Sequence, residues 1–354
     1  MESISSISRR KRSRLLVTGG AGFIGSAFVR FVFNKVESCV VLDLLTYAGN
    51  RENLSCLEGD PRFTFVHGDI SDEPLVEKLV QKFQIDAIVH FAAETHVDRS
   101  ILGPKAFVEA NILGTFHLLE VVRRHPHIHF HHVSTDEVYG CLGDEGKFSE
   151  ESRYAPSSPY SASKAASDHL VRAYAKTYTI FTTLSHCSNN FGPYQFPEKL
   201  IPLTILNCLK KEPLPLYGEG KNVRDWLFVD DHAECVWRIL ERGKAGESYN
   251  IGGEQEVRNI DLVKKIIQAV ADLTGTPKNT LEALITFVKD RPGHDWRYAI
   301  DCSKVKRDIG WHPSPSLDEK LVQTVQWFIN NPTWVSRIES GKYKQWIETH
   351  YQRR

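Results

Sequence analysis

From Arg14 onward, short runs rich in β-branched residues alternate with longer stretches whose apolar positions recur at helical spacing. The runs at 14–18, 39–43, 63–66, 87–91, 128–134 and 182–187 read as strands. The segments between them at 23–36, 72–83, 105–124 and 160–178 read as helices. Strands and helices taken in turn are the mark of parallel βαβ units, so the pattern predicts an α/β fold built on a doubly wound parallel sheet. After about residue 190 the texture changes. Pro193, Pro197, Pro202, Pro213 and Pro215 break up the chain, and helical runs at 230–242, 259–273 and 317–330 alternate with very short strands. We expect a first domain over 14–190 and a smaller C-terminal α/β lobe over 191–354. The lobe would close over the carboxyl edge of the sheet, where open α/β sheets bind ligands. Residues 1–13, with the basic run Arg9-Arg10-Lys11-Arg12, read as a flexible, solvated tail.

Composition narrows the functional classes. Hydrophobic residues make up 41% and charged residues 25% of the 354, which suits a globular chain with a sizeable core. Lys plus Arg and Asp plus Glu both number 44, so nothing points to a phosphate backbone or an anionic membrane as partner. The seven cysteines, at 39, 56, 141, 187, 208, 235 and 302, form no Cys-x-x-Cys pair and suit a reducing, cytoplasmic compartment. No apolar run approaches the roughly 18 residues of a membrane span.

Chemistry enters first at Thr18-Gly19-Gly20-Ala21-Gly22-Phe23-Ile24-Gly25, which follows one expected strand and opens an expected helix. Glycines at 19, 22 and 25 allow a tight turn, close approach of a pyrophosphate and close helix packing, with the helix N-terminus supplying positive potential. Asp43 ends the next strand 24 residues beyond Gly19, suited to an adenosine ribose. This is a Rossmann dinucleotide fingerprint. A carboxylate there repels a 2′-phosphate, so NAD is expected rather than NADP.

Tyr160 and Lys164 lie one turn apart on one helix face, where an ammonium near a phenol would lower its pKa toward the working pH. Ser134-Thr135 ends the fifth strand, at the edge where a nicotinamide would lie, so Thr135, Tyr160 and Lys164 read as a hydride-transfer triad. Asp136 and Glu137 follow at once. Adjacent carboxyls can serve as acid and base if one is kept protonated by burial beside a like charge.

With these residues in view, the chain resembles the nucleotide-sugar branch of the extended short-chain dehydrogenase/reductases, most closely the dTDP-glucose 4,6-dehydratases. The resemblance is carried by TGGAGFIGS (18–26), LTYAGN (45–50), HFAAETHVDRSI (90–101), FHHVSTDEVYG (130–140), the Tyr160 helix (154–174), CSNNFGPYQFPEKLIP (187–202), YGEGKNVRDWLFVDDHA (217–233), YNIGG (249–253) and DRPGHDWRYAID (290–301). It implies that Tyr160, supported by Lys164 and Thr135, takes the proton of the sugar's 4-hydroxyl while hydride passes to NAD. Glu137 would then remove the hydrogen on carbon 5 as Asp136 protonates the leaving 6-hydroxyl, hydride returns to carbon 6, and carbon 5 is reprotonated. It further implies NAD contacts from Gly19, Gly22, Phe23, Ile24, Gly25, Asp43, Asp69, Ile70, Ala92, Tyr160 and Lys164. Substrate contacts would come from Thr135, Asn190, Arg224, Asn259 and His294, and the assembly would be a homodimer using the 105–124 and 160–178 helices. Without the resemblance, Arg224 would read as a pair with Asp225.

Two positions depart from the family pattern: His186 stands where an Asn is usual, and Leu44 where a basic residue is common. The five histidines between His125 and His132 alternate as on a strand and lack Cys or carboxylate companions, so we expect no metal site. Within the branch, a 4-epimerase lacks the carboxyl pair, a decarboxylase replaces its Asp, and a GDP-mannose dehydratase prefers NADP. Asp136-Glu137 with Asp43 argues against all three, and the intact triad argues against a non-catalytic NAD sensor. Thymine and uracil differ by one methyl, worth about 1–3 kcal/mol, so UDP-glucose stays open as a substrate.

Overall fold

The computed structural model describes residues 13–290 and 294–339. Its centre is a seven-stranded, wholly parallel sheet. Six of its strands are β1 (Arg14–Thr18), β2 (Ser38–Asp43), β3 (Phe63–His67), β4 (Ala87–His90), β5 (His129–Thr135) and β6 (Thr182–Cys187). The spatial order is β3-β2-β1-β4-β5-β6, followed by Ser248–Ile251 at the far edge. The strands read as nearly continuous apolar runs because helices cover both faces. Phe23–Val32 and Val229–Arg242 pack together on one face, and Glu73–Phe83, Gly114–Arg124 and Pro159–Tyr178 cover the other. The order reverses between β1 and β4, and a crevice opens there at the carboxyl ends.

Three expectations change. The strand Ser248–Ile251 pairs with β6 from Leu184 to Cys187, so the first domain does not end at residue 190. Helices Val229–Arg242 and Ser303–Ile309 also supply side chains to the sheet's core, because β6 and the Phe23–Val32 helix would otherwise leave apolar surface in water. What remains of the second lobe is a separate core under Leu200–Lys210, Asn259–Thr274, Leu317–Asn330 and Pro332–Glu339. Second, Ser13 does not belong to a tail: it is buried, and its amide donates to Asp86. Residues 1–12, with the basic run, lie outside the described residues. Third, the 105–124 helix is interrupted by a π-helical turn at Val108–Leu113. The wider turn swings Asn111 inward, where its amide exchanges hydrogen bonds with the Glu94 backbone (2.8 and 2.9 Å) and reaches Ser163 Oγ (2.8 Å).

The Pro159–Tyr178 helix starts where it does because Ser158 and Ser161 form a reciprocal capping box with Pro159 at the first position. Tyr160 therefore stands in the first turn, and Lys164 and Asp168 follow at successive turns on the same face.

Candidate active site

One cleft of about 870 Å³ runs along the carboxyl edge of the sheet and under the second lobe. At its cofactor end the chain after β1 turns through Gly19, whose φ of +68° suits glycine and whose added Cβ would stand 2.5 Å from the Ala92 amide. The Asp43 carboxylate is buried and braces this turn, accepting from Ala21 N (2.9 Å) and Leu45 N (2.8 Å). Burial raises its pKa, and those two hydrogen bonds oppose the rise. Gly22, Phe23, Ile24 and Gly25 at the helix start line the same cleft, as do Asp69, Ile70 and Ala92. A turn without side chains at a helix N-terminus, beside a buried carboxylate, fits a dinucleotide.

At the chemical end, Thr135, Glu137, Tyr160 and Lys164 line the cleft. The Thr135 hydroxyl accepts from Glu137 N (3.3 Å) and caps the short helical turn Asp136–Tyr139. Asp136 is not at the wall: it lies behind, 2% exposed, with Oδ2 lacking a hydrogen-bond partner among the described residues. Burial, then the Glu137 and Asp225 charges, pushes its carboxyl well above the ordinary range. The two carboxyls are thus split in their surroundings, Asp136 buried with its pKa raised and Glu137 facing the cleft.

The lowered phenol pKa expected from Tyr160 and Lys164 is not what the structure gives. Burial, followed by Glu137, pushes the Tyr160 phenol well above its ordinary value, against an opposing hydrogen bond with Thr135. Lys164 Nζ donates to Val133 O (2.9 Å) and lies 3.3 Å from His132 Nε2. Spacing put the two side chains on one face, and the acceptors that the Lys164 ammonium meets are tertiary ones, Val133 O and His132.

In the second lobe, Asn190, Arg224, Asn259 and His294 all reach the cleft. Arg224 and Asp225 each meet other partners. Its guanidinium donates to Asp295 O (2.9 Å) and lies over the Tyr298 ring, while Asp225 accepts from Gly253 N and Gln255 N. His232 Nδ1 lies 2.9 Å from Asn190 Oδ1, and the Asn190 amide donates to Ser188 O. His294 meets Asp290 at 2.6 Å. Three buried acceptors on the cleft wall, Asn189 Oδ1, Gln195 Oε1 and Asn259 Oδ1, have no hydrogen-bond partner among the described residues. Unsatisfied buried acceptors are costly, and they fit a ligand rich in hydroxyl donors.

Sequence reasoning missed Asn111, Glu198 and Asp168. Glu198 is a buried carboxylate on the cleft wall that accepts from Tyr47 OH (3.2 Å). An Asn and an Asp among apolar helical positions were the available signals for the other two. His186 is absent from the cleft wall; it is fully buried against Tyr139 OH (3.0 Å) and Tyr154 OH (2.6 Å). Leu44 stands half exposed at the cleft mouth. His129 and His131 share one face of β5 and meet Thr183 at 2.7 and 2.8 Å.

Fold and site together define an extended short-chain dehydrogenase/reductase with a nucleotide-sugar type of cleft. The family model described as GDP-mannose 4,6 dehydratase matches residues 16–324. The chain is 49% identical to dTDP-glucose 4,6-dehydratase 1 of Escherichia coli strain K12, covering 96% of this chain and 99% of that one. It is 52% identical to dTDP-glucose 4,6-dehydratase of Xanthomonas campestris pv. campestris strain B100, over 93% of this chain and 97% of the relative. A solved dTDP-glucose 4,6-dehydratase double mutant from Streptomyces venezuelae, with NAD bound, superposes with a TM-score of 0.86 at 46% identity, covering 92% and 99% of the two chains. The chain belongs to the dTDP-glucose 4,6-dehydratase family.

Proposed function

We propose that this chain is an NAD-dependent hydro-lyase that converts dTDP-glucose to dTDP-4-dehydro-6-deoxy-glucose with loss of water. The observation that carries the reading is the split carboxyl pair directly after Thr135: Asp136 is buried with its carboxyl pushed well above the ordinary range, and Glu137 faces the cleft beside Tyr160. Gly19, Gly22 and Gly25 would hold the pyrophosphate of NAD, Asp43 its adenosine ribose, and Phe23, Ile24, Asp69, Ile70 and Ala92 would complete the wall. When bound, NAD supplies a cationic ring that opposes the effect of burial on Tyr160, accepts the hydride lost from carbon 4 and returns it to carbon 6.

The side chains do the rest. Tyr160 takes the proton of the 4-hydroxyl, and Thr135 and Lys164 orient it; because the 4-ketone persists in the product, Tyr160 passes that proton to solvent, from which Asp136 regains the one it gives up. The 4-ketone acidifies the hydrogen on carbon 5, which Glu137 removes and restores to carbon 5 as the hydride reaches carbon 6. Asp136 gives its proton to the leaving 6-hydroxyl, which departs as water. Arg224 and His294 suit the diphosphate, with Asn190 and Asn259 toward the nucleoside end.

The decisive experiment incubates the protein with dTDP-glucose, UDP-glucose and GDP-mannose and follows mass. Loss of one water from dTDP-glucose first of the three is expected. A product of unchanged mass would indicate an epimerase and overturn the reading.

A homodimer belongs to the same proposal. Ile101, Leu102, Val108 and Leu113 expose apolar side chains along the 97–113 face beside the Pro159–Tyr178 helix, and a second copy would cover them. A cytoplasmic location is part of it too, in keeping with seven free thiols. Among the described residues no helix is long and apolar enough to cross a membrane.

A further inference from the structure

Behind the cleft wall lies a buried polar cluster that the mechanism does not use. Its centre is Asp168, which is fully buried one turn beyond Lys164. Asp168 Oδ2 accepts from Ser134 Oγ (2.8 Å) and Tyr154 OH (3.0 Å) and lies 3.3 Å from His186 Nε2. Asp168 Oδ1 lies 3.3 Å from His132 Nε2, the same nitrogen that is 3.3 Å from Lys164 Nζ. One ring nitrogen therefore stands between an ammonium and a carboxylate. With its hydrogen on Nδ1, His132 accepts from Lys164; with it on Nε2, it donates to Asp168.

We propose that Asp168 is a positioning residue, the buried counter-charge that keeps Lys164 cationic and seated on the Val133 carbonyl one turn from Tyr160. This rests on the functional reading above. The groups facing Lys164 and its partner can be named element by element. His132 comes from β5, His90 from β4 with its ring 5.1 Å from that of His132, and Cys187 and His186 from β6. Tyr154 comes from the segment before the helix, Tyr160 from the helix itself, and Asp136 and Glu137 from the turn after β5. Burial keeps His90 and His132 neutral and raises the Cys187 thiol to about 12. Burial pushes the Asp136 carboxyl well above the ordinary range, and the Glu137 charge acts on the phenol.

Asp168 is different. Burial works to raise its pKa, but the His132 and His186 rings, each 3.3 Å from one of its oxygens, outweigh it and hold the carboxyl well below the ordinary range. Burial pulls Lys164 down to about 8, and the Asp168 charge is the largest influence holding it up. Without that charge, a lysine in so dry a place would give up its proton near neutral pH.

The test isolates the oxidation step, which needs no carboxyl pair. In a Glu137→Gln background, substrate is mixed with the NAD-loaded protein and the nicotinamide absorbance change is timed from about pH 6 to about pH 10. If Glu137→Gln forms no NADH, the functional reading fails, not this one. If it does, adding Asp168→Asn should move the alkaline limb of the oxidation rate down by about one pH unit, a loss on the order of tenfold on that limb, with the rate near pH 6 little changed. A merely structural role would lower the rate at every pH alike, and an unmoved limb would overturn the proposal. Stability supplies a second reading should Asp168→Asn fold poorly. The proposal requires Lys164→Met to recover much of the lost thermal midpoint, because the damage is an unpaired buried ammonium. Strictly additive losses would overturn it.

Discussion

Asp136 and Glu137 are neighbours in the chain with opposite surroundings, and that contrast sets two predictions. In the proposed mechanism, oxidation at carbon 4 calls on Thr135, Tyr160 and Lys164, whereas elimination across carbons 5 and 6 calls on the carboxyl pair. Glu137→Gln and Asp136→Asn should each still reduce bound NAD when substrate is added, yet lose on the order of 100-fold in turnover. Solvent deuterium should cease to appear at carbon 5 in Glu137→Gln, and near-normal dehydration by both variants would refute the assignment. The second prediction concerns stability. Burial raises the folded-state pKa of Asp136, so the folded chain holds a proton that the unfolded chain releases above about pH 4. The parent therefore loses stability as pH rises from there toward the raised pKa, by up to about 1.4 kcal/mol per pH unit. Asp136→Asn escapes this loss and should compare more favourably with the parent at pH 8 than at pH 5 in denaturant titrations; a constant difference would contradict it. The adjacency of the two carboxyls was legible in the sequence, but which one is buried was not, because burial is decided by the second lobe. The same limit explains Tyr160: spacing located its lysine, and Val133 O and His132, which nothing local announces, decide where the ammonium points.

At the scale of elements, the strands and helices that flank the cofactor end were readable because each has a clean period and the turn between them has its own residue chemistry. The π-helical turn at Val108–Leu113 was not, since one extra residue in an apolar helix leaves the period nearly intact. The β1 turn makes a local prediction. Gly19→Ala must place a Cβ 2.5 Å from the Ala92 amide in a backbone conformation that side chains disfavour, so the turn has to shift. NAD affinity should fall by at least tenfold, measured by calorimetry or by the thermal shift on adding NAD. Asp43→Ala should act differently, narrowing the preference for NAD over NADP through loss of the charge that repels a 2′-phosphate. Equal stabilisation of the unmodified protein by both cofactors would remove that role for Asp43.

Over the whole molecule, the chain does not lay down one domain and then another. After β6 it leaves the sheet to begin the second lobe, returns through Val229–Arg242 and Ser248–Ile251 to finish the sheet, and leaves again. A four-residue strand gives almost no sequence signal, and pairing with β6 after so long an excursion gives none, which is why a boundary at 190 looked reasonable. The lobes are tied further along the chain as well, where Trp334 Nε1 donates to Asn53 Oδ1 (2.9 Å) in a buried contact. If the sheet needs its returning pieces, a fragment of residues 14–190 should not fold. It would expose the free edge of β6 and the apolar side of the Phe23–Val32 helix, which Ala233, Val236 and Leu240 and their neighbours now help to cover. We expect that fragment to aggregate or to lack a cooperative thermal transition and any stabilisation by NAD, while the full chain unfolds in one transition that NAD raises, by about 2.7 kcal/mol at a concentration 100 times its Kd. A soluble 14–190 fragment that melts cooperatively and is stabilised by NAD would show that the cofactor half stands alone, and that the return of the chain to the sheet serves only to fix the second lobe over the cleft.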